Sequence, residues 1–94
     1  MNVAQENAET IGLQALTWLA AHEELLPVFL GSTGASQADI REGIEQAEFL
    51  GSVLDFILMD DAWVRQFCDA HHLAYEIPFK ARQMLPGGEQ VNWT

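Results

Sequence analysis

Three observations predict an all-α fold. Apolar residues recur at helical spacing along most of the chain, helix start and stop residues punctuate it, and no segment alternates strictly as a half-buried strand would. The densest apolar segment runs from Phe49 to Met59. At ~100° per residue, Phe49, Leu50, Val53, Leu54 and Ile57 form one face, and Phe56 and Leu58 widen it to roughly 200° of the circumference. The wedge left over holds Glu48, Gly51, Ser52 and Asp55. The expected architecture is a compact bundle of five or six short helices around this central helix, at about Ala47 to Leu58. Residues 1–94 are read as a single helical domain with 89–94 as a tail.

The first helix is expected from about Val3 to Ala21, with Asn2 as its cap. Ile11, Ala15, Trp18, Leu19 and His22 share one face, while Thr10, Gln14 and Thr17 mark the other. Gly12 inside this helix costs roughly 1 kcal/mol against Ala and often marks close approach of another helix. A second helix follows from about Glu24 to Leu30, with Pro27 in its first turn and Gly31 to Gly34 ending it. Ser36-Gln37-Ala38-Asp39 resembles a capping box that starts a third helix running to about Gln46 and burying Ile40 and Ile44. No proline or loop cluster separates it from the central helix, so the two could be one bent rod. Asp60 or Asp61 caps a fifth helix ending near His71, whose stripe is Trp63, Val64, Phe67, Ala70 and His71. Pro78 starts the sixth, and Leu85-Pro86-Gly87-Gly88 stops it. The nine aromatic residues are assigned mostly to the core by their spacing. Trp63, at a stripe edge, and Trp93, in the tail, are candidate interaction anchors.

Gly34, Asp39-Ile40-Arg41, Phe49-Leu50, Val53 to Phe56, Asp60-Asp61 and Leu85 to Gly88 together resemble a small family of uncharacterised proteins from alphaproteobacteria. It is a domain of unknown function, numbered three-five-seven-two. The resemblance covers about Glu9 to Gly88. It implies a bacterial, cytoplasmic protein and carries over no activity, ligand or catalytic residue.

Composition limits the function classes. Fourteen acids face four bases, for a formal net charge of −10. Phosphate backbones and anionic membrane surfaces are bound by clustered Lys and Arg, so no nucleic acid and no membrane is expected as a partner. Cys68 is the sole cysteine, which excludes an intrachain disulfide and suits a reducing compartment. No basic signal region or membrane-length apolar run is present, and a cytoplasmic location is expected. An apolar fraction of 49% against 19% charged residues leaves apolar surface available for a protein partner or a second copy.

The candidate chemistry is sparse. Cys68 and His72 are spaced i, i+4 as zinc ligands can be, but His71 points into the helix stripe and no other donors complete a set of four. Asp60 and Asp61 lack the regular oxygen spacing of a calcium loop and are better read as caps. Asp55, in the narrow polar wedge of the central helix, is the candidate functional acid, with Arg41 or Arg82 as its partner. Ser32, Ser36 and Ser52 lie in no nucleophile-elbow motif, and Gly31 to Gly34 lacks a Walker lysine. Arg41 with Glu45, Arg65 with Asp61 and Asp69, and Lys80 with Glu76 read as solvated helix pairs. The expectation is therefore no catalytic residue, no cofactor and no metal, and a non-catalytic helical protein–protein interaction module, self-association included. The alternative is a small enzyme or metal-binding protein using Asp55, Cys68, His71 or His72.

Overall fold

The computed structural model describes residues 5–43 and 46–85. Six α-helices follow in order: α1 (Gln5–Ala21), α2 (Leu26–Thr33), α3 (Gln37–Gly43), α4 (Ala47–Leu58), α5 (Asp61–His71) and α6 (Ile77–Gln83). The described residues contain no strand. The all-α bundle is therefore observed, and the central helix has the bounds expected of it. Helix α4 touches each of the other five, while α1 packs against α4, α5 and α6. None of these helices is long and apolar enough to cross a membrane.

One hydrophobic cluster joins the elements. It takes Ala8, Ala15, Leu16, Trp18 and Leu19 from α1, Phe29 from α2, and Leu50, Val53, Leu54, Phe56 and Ile57 from α4. Phe67 and Cys68 of α5, Ala81 of α6 and Leu85 complete it. Two aromatic chains run through this core. In one, Phe29 meets Phe49 and Phe56 edge-on at 5.9 and 5.4 Å, and Phe56 stacks on Trp63 at 4.8 Å. In the other, Trp18 contacts His22 at 4.1 Å and Phe67 at 6.2 Å, and Phe67 meets His71 at 5.1 Å.

The α1–α4 contact is close because of Gly12. A Cβ there would stand 2.8 Å from the Cβ of Leu50, nearer than two such carbons pack. The expected close approach at this glycine is thus to α4. Thr17 lies exposed on the outer side, its hydroxyl donating to Leu13 O. Gln14 departs from the expected solvent side: its Oε1 is buried with no hydrogen-bond partner among the described residues.

Several boundaries differ from expectation. Helix α2 starts at Leu26, so Glu23 and Glu24 precede it in a turn, and Pro27 in its first turn fixes the start. It runs past Gly31 to Thr33 because the Ser32 and Thr33 hydroxyls both donate to Phe29 O, and Gly34, at φ 78°, makes the left-handed cap instead. Helices α3 and α4 are separate. Ser36 and Asp39 form the reciprocal capping box, with N–H to side-chain oxygen distances of 2.9 and 3.2 Å. The described part of α3 reaches Gly43, which packs under the Phe49 ring where a Cβ would stand 2.5 Å from Phe49 Cγ, and Gln46, expected at the end of this helix, takes extended backbone instead (φ −110°, ψ 120°). Asp60 is the α5 cap, its Oδ1 accepting from Ala62 N at 2.8 Å. The Asn2 cap, Ile44, Glu45, the Pro86-Gly87-Gly88 stop and the tail with Trp93 lie outside the described residues.

A substitution at Gly12 tests the α1–α4 contact, and one at Gly31 on α2 serves as its uncrowded control. Gly12→Ala gains about 1 kcal/mol of helix propensity but overpacks against Leu50 at a cost of about 1–3 kcal/mol, so a net loss is expected in urea denaturation. Gly31→Ala, with open space around it and ordinary helical backbone, is expected to stabilise by about 0.5–1 kcal/mol. A Gly12→Ala chain as stable as the parent would show that the helices do not need this approach.

Candidate functional site

The titratable side chains singled out by the sequence are placed as follows. Asp55 projects from α4 and is engaged by Arg82 of α6 in a two-point ion pair, Nε to Oδ1 at 2.6 Å and Nη2 to Oδ2 at 2.9 Å. The geometry is a fork on a carboxylate, which fixes orientation as well as distance. Asp55 is 55% exposed at its side chain and Arg82 only 15%, so the acid of the polar wedge stands at the surface. Glu48 and Asp55 on α4 and Met59 at its C-terminal cap are all exposed, and this stripe is the side of the helix left uncovered. Asp55 therefore ties α6 to α4.

Cys68, His71 and His72 do not converge. The Cys68 thiol is fully buried and directed at Ala74 O, 3.6 Å away. His71 lies against the Phe67 ring. His72 ends α5 in the left-handed conformation, φ 57°, with its N–H on Cys68 O, so the i, i+4 relation to Cys68 falls at the point where the helix stops. Among the described residues no three His, Cys, Asp or Glu side chains stand close enough together to hold a metal ion. His22 pairs its Nδ1 with Trp18 O at 2.7 Å and closes the end of α1.

An open concavity of about 390 Å³ lies where α2 ends and α3 meets α4. Asp39, Glu42, Gln46, Ser52 and the Phe49 ring line it. Asp39 is committed to the capping box, and the Ser52 hydroxyl donates to Phe49 O at 2.6 Å, so both serve the local backbone.

The feature that sequence reasoning missed is on α6. Phe79 and Tyr75, assigned to the core by spacing, are 55% and 51% exposed, and Met84 is 44% exposed. The inner face of α6 is made instead by Pro78 and Ala81, both buried, with Leu85 beyond them. These small residues let α6 lie close on α1 and α4, which turns the long side chains outward. Two adjacent outer rows at i, i+4 spacing run along α6 and one or two residues past its ends: Tyr75, Phe79 and Gln83, and beside them Glu76, Lys80 and Met84. All six are exposed. The visible signal was the pair of small residues at 78 and 81, which marks the buried side. Trp63, the sequence candidate for an anchor, is half-buried and stacked on Phe56.

The family described as Protein of unknown function (DUF3572) matches residues 5–88, and the chain belongs to it. No curated protein and no solved structure matches the chain.

The buried thiol carries a pH signature. Burial, with the charges of Asp69 and Glu76 adding to it, pushes the Cys68 thiol above its ordinary range. A raised folded-state pKa means that the fold is favoured by the protonated thiol. Its contribution is whole below the unfolded thiol value of about 8.5 and declines as pH rises from there toward the folded value. Tyr75, whose hydroxyl donates to Asp69 Oδ1 at 2.8 Å and is shifted upward by that bond, acts in the same sense at higher pH. Stability measured by urea denaturation is therefore expected to fall as pH rises above about 8.5, and to fall less steeply in Cys68→Ala. Equal slopes for the two chains would remove Cys68 as the cause.

Proposed function

We propose that the chain is a non-catalytic helical interaction module, acting in the cytoplasm, that docks a protein partner on the outer face of α6. The observation that carries this is the exposure of Phe79 on α6 with Tyr75 and Met84 just beyond its two ends, while the other exposed long apolar side chains among the described residues, Leu13, Val28 and Met59, are spread over separate elements. Exposed aromatic and methionine side chains on a rigid element are the usual anchors of docking, since they desolvate a large area for few rotatable bonds. The residues with chemical potential are meanwhile engaged in the fold: Asp55 with Arg82, Asp60 and Asp39 at helix starts, His22 at a helix end. The net charge of −10 supports a protein partner over nucleic acid or an anionic membrane. A buried free thiol and no second cysteine suit a reducing compartment.

The test is a complex that depends on this face. Phe79→Ser combined with Met84→Ser changes two exposed side chains and is expected to leave helical content and melting temperature intact. The parent chain is expected to form a stoichiometric complex, with itself or with a protein of its native extract, that the double variant does not form. A complex unaffected by the substitutions, or no complex of either kind, would overturn the reading.

A further inference from the structure

We infer that the partner seated on α6 is a second copy of this chain, packed antiparallel across a two-fold axis beside residue 78. The inference rests on the reading of α6 as a docking face and names its occupant. The starting point is charge. Two copies of a −10 chain repel over most of their surfaces, and identical faces meeting across a two-fold axis bring like residues near each other. The outer face of α6 escapes both problems. From Ile77 to Leu85 the chain carries no acid, and Arg82 is turned inward onto Asp55. The charges left on the outer rows are Glu76 and Lys80, one helical turn apart, and no ion pair joins them among the described residues. The face is neutral, so neither a strongly basic nor a strongly acidic partner is favoured by it.

An acid and a base one turn apart on one row make a self-complementary pattern. When a second α6 lies antiparallel with the two-fold midway between them, Glu76 of each copy faces Lys80 of the other. A parallel copy would set Glu76 against Glu76 and Lys80 against Lys80. The midpoint of 76 and 80 falls beside Phe79 along the helix, so the same operation brings the two exposed Phe79 rings together across the axis. Charge pairing and aromatic burial are thus satisfied by a single symmetry operation. Glu76 makes no side-chain cap to α6, which leaves its carboxylate available to the other copy.

The area is small. Two short rows of side chains bury less than the roughly 800 Å² per partner of a standard interface, which places the dimer at the weak, concentration-dependent end of association. Sedimentation velocity from micromolar to submillimolar concentration reads it directly, with the double-swap variant as the decisive arm. Phe79→Ser is expected to abolish the dimer. Glu76→Lys lowers the net negative charge and would strengthen association if only overall repulsion mattered. It is expected instead to weaken it by about three- to tenfold, because two Lys–Lys contacts replace two ion pairs. Lys80→Glu should weaken it likewise, and Glu76→Lys with Lys80→Glu should restore the parent dissociation constant. A chain that is monomeric throughout overturns the inference, and the docking-face reading then stands or falls separately on a Phe79-dependent complex with another protein. A dimer indifferent to Phe79→Ser, or a double swap as weak as either single, also overturns it. Thermal melts of each variant show that the fold is retained.

Discussion

The close approach of α1 to α4, with Gly12 over Leu50, is the constraint on which the rest of the structure depends. Helices normally pack with axes about 8–10 Å apart, set by the side chains at the crossing. Removing the Cβ at position 12 lets α1 come near enough for Ala8, Ala15, Leu16 and Leu19 to share a core with Leu50, Val53, Leu54 and Ile57. On the α1 side two alanines and the Gly12 gap alternate with leucines, and they interdigitate with the branched side chains of α4. Helix α6 contacts both helices of this pair. A wider α1–α4 spacing would open the surface on which Pro78 and Ala81 rest. The exposure of the outer α6 rows is thus linked, through two packed interfaces, to a missing methyl group at position 12.

What the sequence made legible follows from how local each determinant is. Helix α4 was readable at both ends because its apolar arc is so wide and its flanks carry their own start signals. The capping box at Ser36, the Asp60 cap and the tolerance of Pro78 near a helix start are likewise decided within a few residues, and the structure has them. The break between α3 and α4 was not readable: it falls where Gln46 takes extended backbone and the Phe49 ring packs on Gly43. Nothing in the spacing of apolar residues encodes that contact. The end of α2 was misplaced for a related reason: Gly31 and Gly34 are equivalent as letters, and the hydroxyls of Ser32 and Thr33 on Phe29 O carry the helix to the later one.

The site was less legible than the fold. Arg41 and Arg82 were both open as partners of Asp55, and the structure pairs it with Arg82; wedge geometry could not say that α4 leaves this stripe uncovered. Phe79 and Tyr75 were assigned inward because aromatic residues at helical spacing usually face the core. On a helix of two turns the periodicity admits two orientations, and the choice falls to whichever face permits closer packing. Pro78 and Ala81 decide it by their size. Trp63 illustrates the converse: an aromatic at the edge of its stripe finds a stacking partner in Phe56 and is half covered within its own chain.

The charge distribution connects these two levels. An acidic chain keeps its unrelated surfaces apart through repulsion that extends about 8–10 Å at physiological ionic strength. Such repulsion is indifferent to orientation, so by itself it disfavours every contact between copies. A neutral, partly apolar face interrupts it, and approach through α6 meets no excess of like charge; helix α2 is uncharged as well, so on α6 the orientation comes from the order of Glu76 and Lys80. Where a face is too small to bind tightly, specificity has to come from excluding the alternatives instead of from the strength of the chosen contact. The fourteen acids supply that exclusion. Their absence from Ile77 to Leu85, as from Leu25 to Ala38, leaves stretches where an apolar helix face can be met, and on α6 the opposed signs of Glu76 and Lys80 decide how.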